Sequence, residues 1–274
     1  MSDEKYEFDI GPKGQEGLDI LDVMFNPNTQ QQLLAAGLKP GMRVLDIGCG
    51  RGAMSVWLAE QVGPQGSVLA IDNNENQINA TIELTQRVCP PWLTFKVLSA
   101  YDIAQLKETF DLIYCRFILH HLKNPTQIIQ KVYDKLPKEG LFVAEEGIVS
   151  AAYSYPPISG WGSERLGERL PLEKEGEARD GNFGMKLYTQ MKSVGFDIQF
   201  AMLHQPLLYT QEQKQLLAGA AMEGYKQYAI DHGMSQDEWH KRAQEMHRLI
   251  NDDKGVFGFY QSCLVVGKKP LDAL

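Results

Sequence analysis

The chain lacks any run of about 20 apolar residues, the length needed to span a bilayer, and its first residues, Met1-Ser-Asp-Glu-Lys-Tyr-Glu, hold no apolar signal-peptide core. A membrane span and export are therefore not expected, and a cytoplasmic location is. Cysteine is scarce: four residues, at 49, 89, 115 and 263, stand without metal-ligand spacing, so they read as reduced thiols and no metal is expected. Basic residues are outnumbered, 27 against 35 acidic, for a net charge of -8, and no Lys/Arg cluster stands ready to neutralise phosphates. Nucleic acid is thereby disfavoured as a partner, and a small or neutral substrate is favoured. Within these limits the composition is ordinary: 274 residues, 43% hydrophobic and 23% charged, suit one α/β domain with an elaborate insertion.

The most informative stretch present is Val44-Leu-Asp-Ile-Gly-Cys-Gly-Arg-Gly-Ala-Met-Ser-Val-Trp-Leu-Ala59. A short apolar run ends in Asp46, three glycines follow at alternate positions, and a helical apolar pattern resumes at Met54, Trp57 and Leu58. Such a strand–turn–helix strips side chains from the backbone and aims unpaired N–H groups at a helix start, which suits a nucleotide-like ligand. Gly48-x-Gly50-x-x-Ala53, with Asp72 downstream, also fits a dinucleotide fingerprint, and a purely structural turn is a third reading. Asp46 tips the balance, because a carboxylate at the strand tip suits an ammonium-bearing tail better than a pyrophosphate. The pattern Asp46-x-Gly48-x-Gly50-x-Gly52 resembles the first motif of class I S-adenosylmethionine-dependent methyltransferases.

The later motifs stand at successive strand ends. Val68-Leu-Ala-Ile71 reads as a strand ending in Asp72, either an acceptor for a ligand or a cap of the helix that follows. Leu93 to Leu98 alternates like a third strand and is closed by Ser99-Ala-Tyr-Asp102; Phe110 to Cys115 reads as a fourth, followed by Arg116-Phe-Ile-Leu-His-His-Leu122 and a helix start at Asn124-Pro125. The resemblance implies that Asp72 accepts the ribose hydroxyls with Asn73 at the adenine edge and Gln77 nearby. It implies that Asp102, with Ala100 and Tyr101, meets the adenine amino group. Asp46, Gly48, Cys49, Gly50 and Gly52, with the backbone of Cys115 and Arg116, would then hold the remainder of S-adenosylmethionine, with S-adenosylhomocysteine as product. His120 and His121 stand at the mouth of the site, His120 as a candidate general base and His121 as a substrate contact. Leu141 to Ala144 is a fifth strand with Glu145-Glu146 at its tip; adjacent carboxylates point to opposite faces, so one at most looks into a pocket, and the resemblance selects Glu146 as catalytic. A solvated pair is the alternative.

Residues 40–145 are similar throughout to the core of these enzymes, broadly to the ubiquinone/menaquinone methyltransferase group, whereas 146–251 depart from it. The resemblance implies a Rossmann-like, seven-stranded, mostly parallel sheet with an antiparallel last strand, flanked by helices and carrying helical insertions as a cap. The expected organisation is an N-terminal segment and helices over 1–39, a cofactor-binding core over 40–149, a substrate-site insertion over 150–182, a core helix and sixth strand over 183–210, a helical cap over 211–251, and the last strand and tail over 252–274. Residues 1–20 lack periodicity and read as mobile, and Leu18 to Leu38 as a helix in two pieces broken at Asn26-Pro27 with Asn28 or Thr29 as a cap. Tyr6, Tyr153 and Trp161 are candidate walls of the acceptor site, and Ser235-x-x-Glu238 opens a helix with an apolar stripe. The expected reaction is in-line methyl transfer to an oxygen, nitrogen or carbon of a small-molecule acceptor, by a monomer or homodimer. An NAD-dependent oxidoreductase and a catalytically silent S-adenosylmethionine-binding protein are the competing classes.

Overall fold

The structure, a computed structural model, describes residues 12–85, 89–158, 180–223, 226, 230 and 233–272. The chain divides into two compact units, one of residues 26–148, 173–204 and 262–274, the other of residues 1–25, 149–172 and 205–261.

The first unit is built on a seven-stranded sheet. Its strands are β1 (Arg43–Ile47), β2 (Ser67–Asp72), β3 (Leu93–Val97), β4 (Leu112–Arg116), β5 (Leu141–Ile148), β7 (Asp197–His204) and β10 (Gln261–Lys268), in the spatial order β3-β2-β1-β4-β5-β10-β7. Strand β1 lies parallel between β2 and β4, β3 adds parallel to β2, β5 adds parallel to β4, and β10 runs antiparallel to β7. The expected sheet, with its antiparallel last strand, is therefore present. Strands β4, β5 and β10 are apolar without strong alternation because both faces are covered, as a parallel sheet requires. Helix α2 (Ala53–Val62) buries Met54, Leu58, Ala59 and Val62, and α4 (Pro125–Lys135) buries Ile128, Ile129 and Val132. Helices α3 (Glu75–Thr85) and α5 (Gly184–Val194) complete the layers, the last ending at Gly195 with φ of 110°, a left-handed stop.

The second unit holds a three-stranded antiparallel sheet, β6 (Tyr153–Tyr155), β9 (Val256–Gly258) and β8 (Leu207–Leu208), in the order β6-β9-β8. It also holds α6 (Gln211–Glu223) and α7 (Gln236–Asn251). The capping box at the start of α7 is formed as expected, with the Ser235 side chain accepting from Glu238 N and the Glu238 carboxylate accepting from Ser235 N. Lys214, 1% exposed, spans from α6 to the end of α7 and donates to the carbonyls of Asp252 (2.6 Å) and Gly255 (3.2 Å). A buried ammonium is tolerated there because its N–H donors are met by these backbone carbonyls. No described helix is long and apolar enough to cross a membrane.

Three local expectations are corrected. Helix α1 (Pro12–Ala36) runs through Pro27 without dividing, and it begins within the segment read as mobile. An interior proline costs a helix about 3 kcal/mol, but α1 buries Ile20, Met24, Phe25 and Leu33, and packing of that face outweighs the lost bond. Thr29 is accordingly no cap: it is fully buried in mid-helix. The expected sixth strand, Phe196 to Tyr209, divides into β7 and β8 at Gln205-Pro206, and the last, Phe257 to Lys268, divides into β9 and β10 at Phe259-Tyr260. Pro206 cannot donate to a ladder, and the gap is bridged locally, with Phe259 N donating to Pro206 O and the Gln205 amide to Ala151 O and Phe259 O.

Candidate functional site

In an open sheet wound outward from its middle, the connections after the two central strands leave in opposite directions, and the crevice between them at the strands' carboxyl ends is where ligands bind. Here those strands are β1 and β4. Their carboxyl ends carry the glycine turn 48–52 and the segment Arg116–His121, the two stretches that the sequence picks out.

The glycine turn is left-handed three times over, with φ of 74°, 53° and 76° at Gly48, Gly50 and Gly52. The three glycines do different work. A Cβ on Gly48 would fall 2.1 Å from Ile118 Cδ1, and one on Gly52 would fall 2.7 Å from Thr81 Cγ2 and 3.0 Å from the Phe95 ring. Close packing and backbone conformation explain these two without any ligand. Only over Gly50 is there room, a Cβ there meeting Gln77 Nε2 at 3.4 Å. The Ile118 side chain can swing aside at its end, so the left-handed backbone sets the expected cost of Gly48→Ala at about 1–2 kcal/mol of stability. Denaturant unfolding of the variant measures this directly, and an unchanged midpoint and slope would contradict the strained conformation.

Asp72 closes β2 against this turn. Its carboxylate accepts from Gly50 N (3.1 Å, Oδ2) and Asn74 N (3.0 Å, Oδ1), and Thr81 Oγ1 donates to Gly50 O at 3.0 Å. Helix α3 is capped instead by Asn74, whose Oδ1 accepts from Gln77 N at 3.1 Å, so the capping alternative for Asp72 falls away. Burial pushes the Asp72 carboxyl up from the usual aspartate range, against the amides of Asn74, Gly50 and Asn73 that donate to it. Asn73 itself is exposed. Asp46 is 2% exposed and accepts from Ser55 Oγ at 2.6 Å. It thus lies beneath the turn, bound to the first helical turn of α2.

Cys49 and Cys115 are inert thiols. Burial, and then the Asp46 and Asp72 carboxylates, push Cys49 well up, and burial with Glu146 and Asp46 does the same at Cys115, so neither is a thiolate near neutral pH. After β3, Ser99 Oγ accepts from Tyr101 N and starts a 3-10 turn, Ala100–Gln105, that holds Ala100, Tyr101 and Asp102 together. Asp102 Oδ1 accepts from Gln105 Nε2 at 2.9 Å, and the Tyr101 hydroxyl accepts from Lys123 N at 3.1 Å.

At the end of β4 the chain turns sharply. Phe117 has φ of 55°, a conformation that bulky side chains rarely adopt and that concentrates at functional sites. The turn delivers Ile118 N and Leu119 N to one oxygen of Glu146, at 2.9 and 2.7 Å, while the other oxygen lies 2.7 Å from His120 Nδ1. Glu146 is fully buried, whereas the His120 side chain keeps 17% of its surface. The His121 ring lies 3.8 Å from that of His120, centroid to centroid. Asp180 N donates to His120 O, bringing a segment distant in sequence to the same turn.

Glu145 points the other way and is equally buried. It accepts from Thr29 Oγ1 (2.6 Å) and Ser262 Oγ (2.7 Å), and Arg116 Nη1 donates to Thr29 Oγ1 at 3.4 Å. The alternative of a solvated carboxylate pair is thereby overturned, because both charges are enclosed and each is met by hydrogen-bond donors. Of the expected acceptor walls, Tyr153 lies on β6 in the second unit, 46% exposed, with its ring over Gly258, where a Cβ would come within 2.1 Å of it. Tyr6 and Trp161 lie outside the described residues.

Residues 38–157 match the methyltransferase domain family. The demethylmenaquinone methyltransferase of Lactobacillus johnsonii is 27% identical over 129 residues, 46% of this chain and 51% of that protein. The chain spans 35% and 51% of the lengths of two curated relatives that it matches. Among solved structures, the YcgJ protein from Bacillus subtilis superimposes with a TM-score of 0.58 at 15% identity, over 89% of this chain and 99% of that one. A phosphoethanolamine N-methyltransferase of Haemonchus contortus, solved with phosphomonomethylethanolamine and S-adenosylhomocysteine, gives 0.56 at 16% identity, over 94% and 58%.

Proposed function

We propose that this chain, whose residues 38–157 match the methyltransferase domain family, is a class I, S-adenosylmethionine-dependent enzyme that transfers a methyl group to a small-molecule acceptor. The observation that carries this reading is the pair of elements at the switch between β1 and β4: a left-handed glycine turn braced at Gly50 by the Asp72 carboxylate, and a tight turn presenting His120.

The residues present fit a nucleoside with an amino-acid tail. Asp72 is an ionisable acceptor already oriented by two amides, suited to vicinal ribose hydroxyls, with Asn73 and Gln77 beside it. The 3-10 turn 100–105 would bring Asp102, with Ala100 and Tyr101, to an adenine edge. Gly48, Cys49, Gly50 and Gly52, with the backbone of Cys115 and Arg116, would take the tail. Asp46 shapes the turn from below through Ser55. S-adenosylmethionine, when bound, supplies a methyl carbon activated by a sulfonium. What the protein must add is alignment of the acceptor, exclusion of water and, for a protonated acceptor, a base. His120 would serve in the last role, and His121 in contact with the acceptor.

Thermal unfolding with S-adenosylmethionine, S-adenosylhomocysteine or NAD tests the reading. Both sulfur ligands should raise the melting temperature by mass action, by an amount that grows with ligand concentration. A rise with NAD and none with either of the others would overturn the assignment in favour of an oxidoreductase.

A further inference from the structure

The Glu146 side chain is fully buried, yet every hydrogen bond its carboxylate makes goes to three successive residues, 118 to 120. One oxygen accepts from two successive backbone amides, Ile118 and Leu119, and the second faces His120 Nδ1. One carboxylate oxygen thus already serves as acceptor for two backbone amides, and a carboxylate has acceptors only. The partner at 2.7 Å must therefore be the donor, which places the imidazole proton on Nδ1. Nε2 is then the basic nitrogen, and among the described residues it has no hydrogen-bond partner, while the side chain retains 17% of its surface. The left-handed Phe117 sets the turn in this pose, and the Phe117 ring, edge-on to His120 at 6.5 Å, with His121 at 3.8 Å, limits rotation of the imidazole.

We propose that Glu146 is a positioning residue that fixes His120 as the Nδ1–H tautomer, and that the acceptor consequently carries an acidic proton at its nucleophilic group, X–H, which it gives to Nε2. This rests on the methyltransferase reading above and narrows the acceptor to one that must lose a proton on methylation. The acceptor X–H yields its proton to Nε2, and the electron pair left on X forms the new bond to the methyl carbon. The C–S bonding pair departs with sulfur as a neutral thioether. His120 is left an imidazolium facing the Glu146 carboxylate, which stabilises the charge, and it returns the proton to solvent after release. The assignment of Glu146 thus changes from a residue that meets substrate to one that acts through His120.

The tautomer is readable without any substrate. In long-range proton–nitrogen spectra of the full chain at about pH 9, where an imidazole of ordinary pKa is neutral, His120 should show a protonated Nδ1 and a bare Nε2, its signals identified by their loss in His120→Ala. Glu146→Gln keeps a carbonyl for the two turn amides and turns an NH2 toward Nδ1, so the same ring should switch to the Nε2–H form. A wild-type ring with Nε2 protonated overturns the proposal, as does a ring unchanged in Glu146→Gln when the Ile118 and Leu119 amide signals are retained. Should that variant not fold, the wild-type tautomer decides alone. Calorimetric binding of S-adenosylhomocysteine to the same samples separates the two claims: no binding with the expected tautomer removes the methyltransferase reading, and binding with the wrong tautomer removes only the base.

Discussion

Replacing Asp72 with alanine should weaken S-adenosylhomocysteine binding by about 10- to 150-fold, the equivalent of about 1.5–3 kcal/mol for hydrogen bonds to a charged acceptor. The carboxylate ends β2 with one oxygen on Gly50 N and the other on Asn74 N, so it is oriented before any ligand arrives. Removing it would cost the proposed ribose contacts and also leave the Gly50 amide without this acceptor. Asp72→Asn separates these effects, since a carboxamide oxygen can still accept from Gly50 but carries no charge; an intermediate loss is expected. The pH dependence has a defined sign. Burial raises the folded-state pKa, so protonation of Asp72 favours the folded chain, and its contribution to stability is fully present below the unfolded value and lost as pH rises through the folded one. Ligand affinity runs the other way. It requires the anion and should fall on acidification, starting at a higher pH than for an ordinary aspartate. Calorimetric titration and unfolding of the ligand-free protein over the same pH series check both trends, and Asp72→Ala should flatten the binding trend. An unchanged dissociation constant in that variant would remove Asp72 from the ligand site.

His120→Ala should lower turnover by about 10²- to 10⁴-fold, the usual range for loss of a general base, with S-adenosylhomocysteine affinity preserved. The turn should survive the change, because its amides are held by Glu146 at Ile118 and Leu119 and not by the imidazole. Steady-state kinetics together with calorimetry distinguish the outcomes. A fall in kcat with intact ligand binding supports the base; equal turnover would reduce His120 to packing between Phe117 and His121; loss of binding would make it part of the turn's architecture.

What could be read along the chain follows from locality. A glycine turn between an apolar strand and an apolar helix is written in about sixteen consecutive residues, and acids after apolar strands stand out in the same way, so Asp46, Asp72 and Asp102 can be picked out as candidates from the sequence alone. Asn74-x-x-Gln77 also carried a readable cap, overlooked beside Asp72. The pairing of His120 with Glu146 spans 26 residues, and that of Glu145 with Thr29 and Ser262 spans 116 and 117. No periodicity records such contacts. The left-handed Phe117 has no signal at all, because sterics disfavour the conformation for a bulky side chain and only the surrounding fold imposes it. The same competition explains Pro27: local propensity predicts a break, and burial of the rest of α1 overrides it. At Gly48 and Gly52 the structure adds a second reason for glycine that the sequence does not show, since the neighbours that exclude a side chain, Ile118, Thr81 and Phe95, are distant in sequence.

The sheet order has a consequence for how the chain assembles. Strand β10 occupies a place between β5 and β7, although it is the last of the seven to leave the ribosome. Until residue 262 is available, nothing joins β7 to β5, two ladder edges stay open, and the Glu145 carboxylate lacks the Ser262 hydroxyl. An unsatisfied buried group of this kind costs about 1–3 kcal/mol, and open edges invite pairing with other chains. Co-translational folding of this unit is therefore confined to the β3-β2-β1-β4-β5 side, and the closing event is the insertion of a late strand into a waiting gap. That step is of high contact order and slow by nature, which makes the nascent chain, rather than the finished protein, the form most exposed to aggregation.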